Sequence, residues 1–316
     1  MRNTLLAEVA RGRHGRKQRL GIATLVGVFT LIALTLAPPA SAAPPTPPAR
    51  DNSTNEIVYM IHGYFDTPYF GEPMPDGWDC EKEWGSAKAA MVQWGWKPEN
   101  LKTVGYYDSN EFCDENLKSA AGVPNDRNRP IEAIGLDLAW NIYNAHTSKG
   151  RSIDVMAHSM GGLVIRSALT EVNKKNPAYP PYLWVEDVVT FGTPHAGTLT
   201  ARGCGYEQCH DMRENSVFLQ NQIDNPQSDQ GTDWTVIGTG FDIVVLPQAS
   251  ATDVEVAHKV WFFRSERINH LSLHKVADNR AFTISYSNFG NPWVDTGNGA
   301  SPVRTGSNAL YWHADW

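Results

Sequence analysis

The 316-residue chain is poor in basic residues. Its 27 Lys and Arg stand against 34 Asp and Glu, a formal charge of −7. Removing residues 1–42, with their six basic residues and the single acid Glu8, takes that charge to −12. A chain so acidic carries no basic stripe for nucleic acid, which is excluded as a partner. Cysteine is scarce too, four in all. The spacing lacks paired C-x-x-C knuckles, which counts against a zinc site on four thiolates. There is no internal repeat, so a repeat architecture is set aside.

Basic residues do cluster at the start. Arg11, Arg13, Arg16, Lys17 and Arg19 precede the apolar run Leu20 to Leu36, and Ala40-Ser41-Ala42 offers the small residues a signal peptidase reads. The run is close to the lower limit for a membrane span. The small-residue site and the Pro-rich segment Pro44 to Pro48 favour cleavage after Ala42 over an anchor. Residues 1–42 are therefore expected to be a signal peptide and 43–54 a disordered lead-in, with the mature protein secreted. Four cysteines in an exported protein, lying as two local pairs, predict the disulfides Cys80–Cys113 and Cys204–Cys209.

A hydrophobic content of 41% is ample for a large core. Strand-like and helix-like segments alternate. Glu56 to Ile61, Leu101 to Tyr107, Ile153 to Ala157, Val185 to Phe191, Trp234 to Gly238 and Val260 to Phe263 have strand character. Cys80 to Trp94 carries Trp84, Ala87, Met91 and Trp94 at helical spacing, and Arg129 to His146 carries Ile131, Ile134, Leu138 and Ile142. Leu163 to Val172 and Leu271 to Ala277 are also expected to be helical. The order predicts an α/β protein with a mostly parallel sheet, whose loops at the carboxyl ends of the strands face a ligand crevice. Residues 201–230 are polar and irregular and are expected to form a small cap insert. Residues 281–316 show no helix pattern and are expected to add one or two strands or a tail packed on the body.

The chain is organised around Ile153-Asp154-Val155-Met156-Ala157-His158-Ser159-Met160-Gly161-Gly162. An apolar strand runs into a serine, two glycines and a helix, the pattern of a nucleophile elbow. A serine hydroxyl attacks only if a base reaches it, so it must stand clear of the sheet on a tight turn. Ala157 replaces the first glycine of the usual G-x-S-x-G, so the motif alone is weak. A serine that merely caps a helix is the competing reading. The rest of the chain must supply a base, an orienting acid and oxyanion donors. His62-Gly63, just after the first strand, offers the backbone N–H of Tyr64 as one donor; Met160, next to the serine, offers the other. His270, in a loop after the last apolar strand, is the preferred base. His195 follows a fixed Thr-Pro turn, His258 lies at the wrong edge and His274 is expected within a helix. Asp242, in the turn after Trp234 to Gly238, is the preferred acid. Asp253 is the alternative, and Asp233 lies at the opposite edge. Phe65, Tyr69 and Phe70 are candidates for a substrate pocket, or else they cover the core.

Those residues, together with Gly192-Thr193-Pro194-His195-Ala196-Gly197 and Asn269-His270-Leu271, resemble secreted bacterial lipases and esterases of the α/β-hydrolase superfamily. The Ala-His-Ser-Met-Gly-Gly form resembles that of small bacterial triacylglycerol lipases. The resemblance covers about residues 55–280. It implies an α/β-hydrolase fold with helices on both faces of the sheet. It also implies ester hydrolysis by a Ser159–His270–Asp242 triad, with lipid or other ester substrates, at a lipid–water interface for a lipase. No cofactor is implied. Some lipases of this kind hold a structural calcium, but the sequence assigns it no site. A monomer is assumed. Acyl transfer, thioester or polyester cleavage, and an inactive binding protein are the alternatives on the same fold.

Overall fold

The computed structural model describes residues 45–64, 78–117, 119 and 122–313. Contacts divide the chain into Met1–Ala43 and Pro44–Trp316. The expected signal peptide and the pocket candidates Phe65, Tyr69 and Phe70 lie outside the described residues.

The second unit runs β1 (Val58–Ile61), β2 (Trp78–Asp79), α1 (Cys80–Gln93), β3 (Leu101–Gly105), β4 (Asn110–Glu111), β5 (Glu115–Asn116), α2 (Ile131–Ala145), β6 (Ile153–His158) and α3 (Met160–Asn173). It continues with β7 (Val185–Phe191), α4 (Glu207–Asp211), α5 (Val217–Gln220), β8 (Asp233–Thr239), β9 (His258–Phe262), β10 (Phe282–Asn288), β11 (Val294–Gly299) and α6 (Pro302–Trp312). Nine strands form one sheet in the order β11-β10-β9-β8-β7-β6-β1-β3-β5. The pairs from β5 across to β9 are parallel, and β10 and β11 are added antiparallel.

Every residue of β6, β7 and β8 is buried. Strands covered on both faces lose polar alternation, which is why these segments read as continuous apolar runs. The pleat sends successive side chains to opposite sides. Tyr59, Ile61, Val155 and Ala157 pack with α2 and α3, whereas Val58, Met60 and Met156 pack with Trp84 and Met91 of α1 and Val303 and Leu310 of α6. Each large aliphatic side chain so buried contributes about 2 kcal/mol. Helix α1 starts where Asp79 accepts a hydrogen bond from the N–H of Lys82 at 3.0 Å. The disulfide Cys80–Cys113 ties that start to the β4–β5 segment, and Cys204–Cys209 closes the short loop before α4.

Residues 282–312 supply two added strands, β10 and β11, one of the two readings of the sequence, and end in a helix, α6, that the sequence reading did not expect. That helix escaped notice because Thr305, Gly306 and Ser307 interrupt its buried face between the apolar pairs Pro302-Val303 and Ala309-Leu310. Gly306 lets it lie against the sheet, since a Cβ there would come within 2.8 Å of Phe191. Conversely, Leu271 to Ala277 forms turns, not a helix. Asn269 and Ser272 satisfy each other's backbone N–H groups with their side chains, in competition with helical bonds.

Candidate active site

Strand β6 delivers Ser159 at φ 53°, between the last strand residue and the first residue of α3. A non-glycine residue there costs about 1–3 kcal/mol. The conformation is held by the Ser159 N–H donating to the Phe191 carbonyl at 2.8 Å, the Gly162 N–H donating to the Ser159 carbonyl at 3.1 Å, and the Thr193 hydroxyl donating to that carbonyl at 2.8 Å. The elbow has no spare room. A Cβ on Gly63 would lie 2.7 Å from the Ser159 Cβ, and one on Gly161 would run into the carbonyls of His62 and Ile61.

The loop after β9 brings His270 to the serine, with Nε2 2.9 Å from Oγ. The turn after β8 brings Asp242 to the far side of the imidazole, its Oδ2 2.8 Å from Nδ1. A carboxylate only accepts, so Nδ1 carries the imidazole proton and Nε2 faces the hydroxyl as acceptor. Asp242 is fixed in turn: its Oδ1 accepts from the N–H groups of Val244 and Val245 at 2.7 and 2.9 Å. Ser159, His270 and Asp242 are 7%, 3% and 2% exposed, so all three side chains are buried, the acid most deeply. Gly192, at φ 60°, lies under the pair, where a Cβ would come within 3.1 Å of His270 Nδ1.

Met160 opens α3, so its N–H belongs to the first helical turn, which has no intrahelical acceptor. The helix dipole directs partial positive charge to the same point. Tyr64 is half-buried at the end of the segment after β1, and its hydroxyl lies 3.4 Å from Cys204 Sγ. That segment is braced from behind. Tyr106 stacks on His62 with ring centres 4.1 Å apart, and its hydroxyl lies 2.6 Å from the Gly63 carbonyl. Asn110 Oδ1 accepts from the N–H groups of Tyr106 and Tyr107 at 2.7 and 2.6 Å. Burial lowers the pKa of His62.

The other histidines and acids go elsewhere. His195 Nε2 pairs with the Thr190 hydroxyl at 3.0 Å, and burial with Arg166 nearby drives its pKa far down. His258 sits beside Asp233 at the opposite edge of the sheet, and Asp253 is exposed. His274 Nε2 lies 2.8 Å from Glu83 Oε1. Sequence reasoning singled out Gly192 only as part of a motif, without its place under the Asp242–His270 pair, and overlooked Tyr106, Asn110 and Glu83. Only Glu83 left a signal: it shares the buried stripe of α1 with Ala87 and Met91 at intervals of four. Burial pushes its carboxyl up, but His274 and His158 overcome this and hold it below the usual carboxylate range.

Among the described residues two clusters carry metal-ligand side chains, Glu83–His158–His274 and Asp187–Asp233–His313. Neither suits a metal. The rings of His158 and His274 are stacked at 3.8 Å and 22°, so no ion lies near the ring plane of both. Lys275 also places its ammonium 2.6 Å from the same carboxylate. In the second cluster Arg50 already supplies positive charge, 3.6 Å from Asp187 Oδ1 and 2.8 Å from His313 Nδ1.

Residues 134–269 match the family described as the PGAP1-like alpha/beta domain. A comparison with curated proteins finds no match. Among solved structures, the chain is similar to phospholipase PlaB from Legionella pneumophila, with 14% identity over 58% of this chain and 37% of that one, TM-score 0.41. It thus spans little more than a third of the Legionella protein. It is also similar to mature lipase BlEst2 from Bacillus licheniformis, with 16% identity over 62% of this chain and 70% of that one, TM-score 0.35. A third similar structure is Aspergillus fumigatus lipase B, with 14% identity over 85% of this chain and 59% of that one, TM-score 0.40. The segment that matches the PGAP1-like alpha/beta domain holds the parallel strands β6 to β9, the strained serine between β6 and α3, and Asp242.

Proposed function

We propose that this protein is a secreted serine carboxylic-ester hydrolase that acts on acylglycerols or related lipid esters. The observation that carries the reading is the continuous path Ser159 Oγ, His270 Nε2, His270 Nδ1, Asp242 Oδ2, with links of 2.9 and 2.8 Å. Ser159 Oγ attacks the ester carbonyl while His270 Nε2 takes its proton. Asp242 holds the imidazole in the productive tautomer and stabilises the imidazolium. The N–H groups of Tyr64 and Met160 bind the oxyanion, where charge develops in the transition state. His270 then gives the proton to the departing alcohol. Water, activated by the same imidazole, releases the acid and restores Ser159. Export is supported by the two disulfides, which persist in oxidising compartments. Among the described residues no helix is long and apolar enough to cross a membrane.

The test is a chain-length series of p-nitrophenyl esters, from acetyl to palmitoyl, on protein starting at Ala43, with Ser159→Ala as control. Turnover that disappears in the variant is the expected result, and the preferred acyl length separates lipase from esterase. Absence of turnover with every ester, or full turnover by the variant, overturns the reading.

A further inference from the structure

The cluster under the elbow has a task that packing alone does not explain. His158, the residue before the serine, places Nε2 2.9 Å from the main-chain carbonyl of His270. Among the described residues that is the hydrogen bond this carbonyl receives. A carbonyl only accepts, so the proton sits on Nε2. Nδ1 of the same ring lies 3.4 Å from Glu83 Oε1, and the ring stacks on His274. His274 Nε2 reaches the same Oε1 at 2.8 Å, and Lys275 takes Oε2 at 2.6 Å. His158, His270 and His274 are almost wholly buried, and Glu83 is 5% exposed. Helix α1, strand β6 and the loop after β9 therefore meet at one carboxylate.

We propose that His158 is a positioning residue for the base, holding the His270 carbonyl through its Nε2–H while His274, itself paired with Glu83, stacks against its ring and fixes it. This rests on the reading of Ser159 and His270 given above. His270 is then gripped twice, by Asp242 through its ring and by His158 through its backbone. The second grip comes from the last residue of the strand that delivers the nucleophile, so the Oγ–Nε2 separation is set by the adjacent residues His158 and Ser159. Burial and the neighbouring His274 keep the pKa of His158 well below the ordinary histidine value, which leaves a neutral ring with one proton to place.

The experiment compares His158→Leu, His158→Gln and Glu83→Gln for kcat and KM on the best p-nitrophenyl ester, with the melting temperature of each. His158→Leu is expected to lose about 100-fold in kcat, the scale of a small misplacement of reacting groups. KM should stay within about 2-fold, because ground-state binding is untouched. The amide N–H of His158→Gln can replace Nε2–H and should recover most of the loss; Glu83→Gln should fall between. Wild-type kcat in His158→Leu, or a glutamine variant no better than leucine at equal melting temperature, overturns the proposal. Should the variants not fold, the unaltered protein still decides. With 15N-labelled histidine, NMR should find His158 as the Nε2–H tautomer, and an Nδ1–H tautomer refutes the bond. Turnover that survives Ser159→Ala would instead sink the serine mechanism and leave the tautomer result standing.

Discussion

Strands β8 and β9 carry an aspartate–histidine pair at each end. At the carboxyl edge Asp242 Oδ2 and His270 Nδ1 are 2.8 Å apart; at the amino edge Asp233 Oδ2 and His258 Nε2 are 3.5 Å apart. All four side chains are buried. Only the first pair meets a serine. The difference is topological. In a parallel sheet the strand-to-helix turns open at the carboxyl edge, and with them the N–H groups of α3. At the amino edge the same residue types join a charge network with Asp187, Arg50 and His313. Residue type alone does not make a triad; the edge decides what the pair can do.

The comparison can be broken most sharply by exchanging the histidines. Ser159→Ala or His270→Ala should lower kcat on an ester by about a million-fold, since the members of a triad act as a unit. His258→Ala should leave kcat within about 3-fold, as distant sites act independently. It should cost about 1–3 kcal/mol in urea unfolding, because Asp233 loses its buried partner. A collapse of kcat in His258→Ala would abolish the distinction. Asp242→Asn should cost about 10,000-fold in kcat by favouring the wrong tautomer, whereas Asp233→Asn should leave kcat near wild type.

A smaller effect is expected from crowding the elbow. Gly161→Ala should lower unfolding stability by about 1–3 kcal/mol, since its methyl group meets the carbonyls of His62 and Ile61. The amino edge gives the gentlest test. Burial, with Glu186, Asp187 and Asp51 close by, raises Glu56 from its ordinary 4.5 to about 9. A carboxyl raised on folding favours the native state fully below its unfolded pKa, and the contribution fades as pH climbs through the folded one. Denaturation midpoints should therefore fall between pH 5 and about 9, and Glu56→Gln should flatten that slope. An unchanged slope would mean that Glu56 does not hold its proton.

The layout of β1, β6, β7 and β8 was legible because buried parallel strands announce themselves as apolar runs, and Ser159 because glycines and a helix follow it. The short edge strands and α6 were not, since two-residue bridges have no periodic signature and Thr305, Gly306 and Ser307 interrupt the apolar positions of α6. Around the site, chain order pointed to Asp242 and His270, which the fold brings together across 28 residues. Order says nothing about what braces them. Asn110 and Tyr106 act through backbone groups, Gly192 through the side chain it lacks, and Glu83 through partners 75 and more residues away. Such roles depend on tertiary neighbours that no local spacing encodes.

For anyone building variant libraries, the tight packing behind Gly63, Gly161 and Gly162 closes the elbow to diversification. Ile243 and Leu271 follow Asp242 and His270 directly and are 59% and 48% exposed. On the proposed reading, randomising those two is expected to change substrate preference while leaving Asp242 and His270 in place, and activity on the ester series measures it.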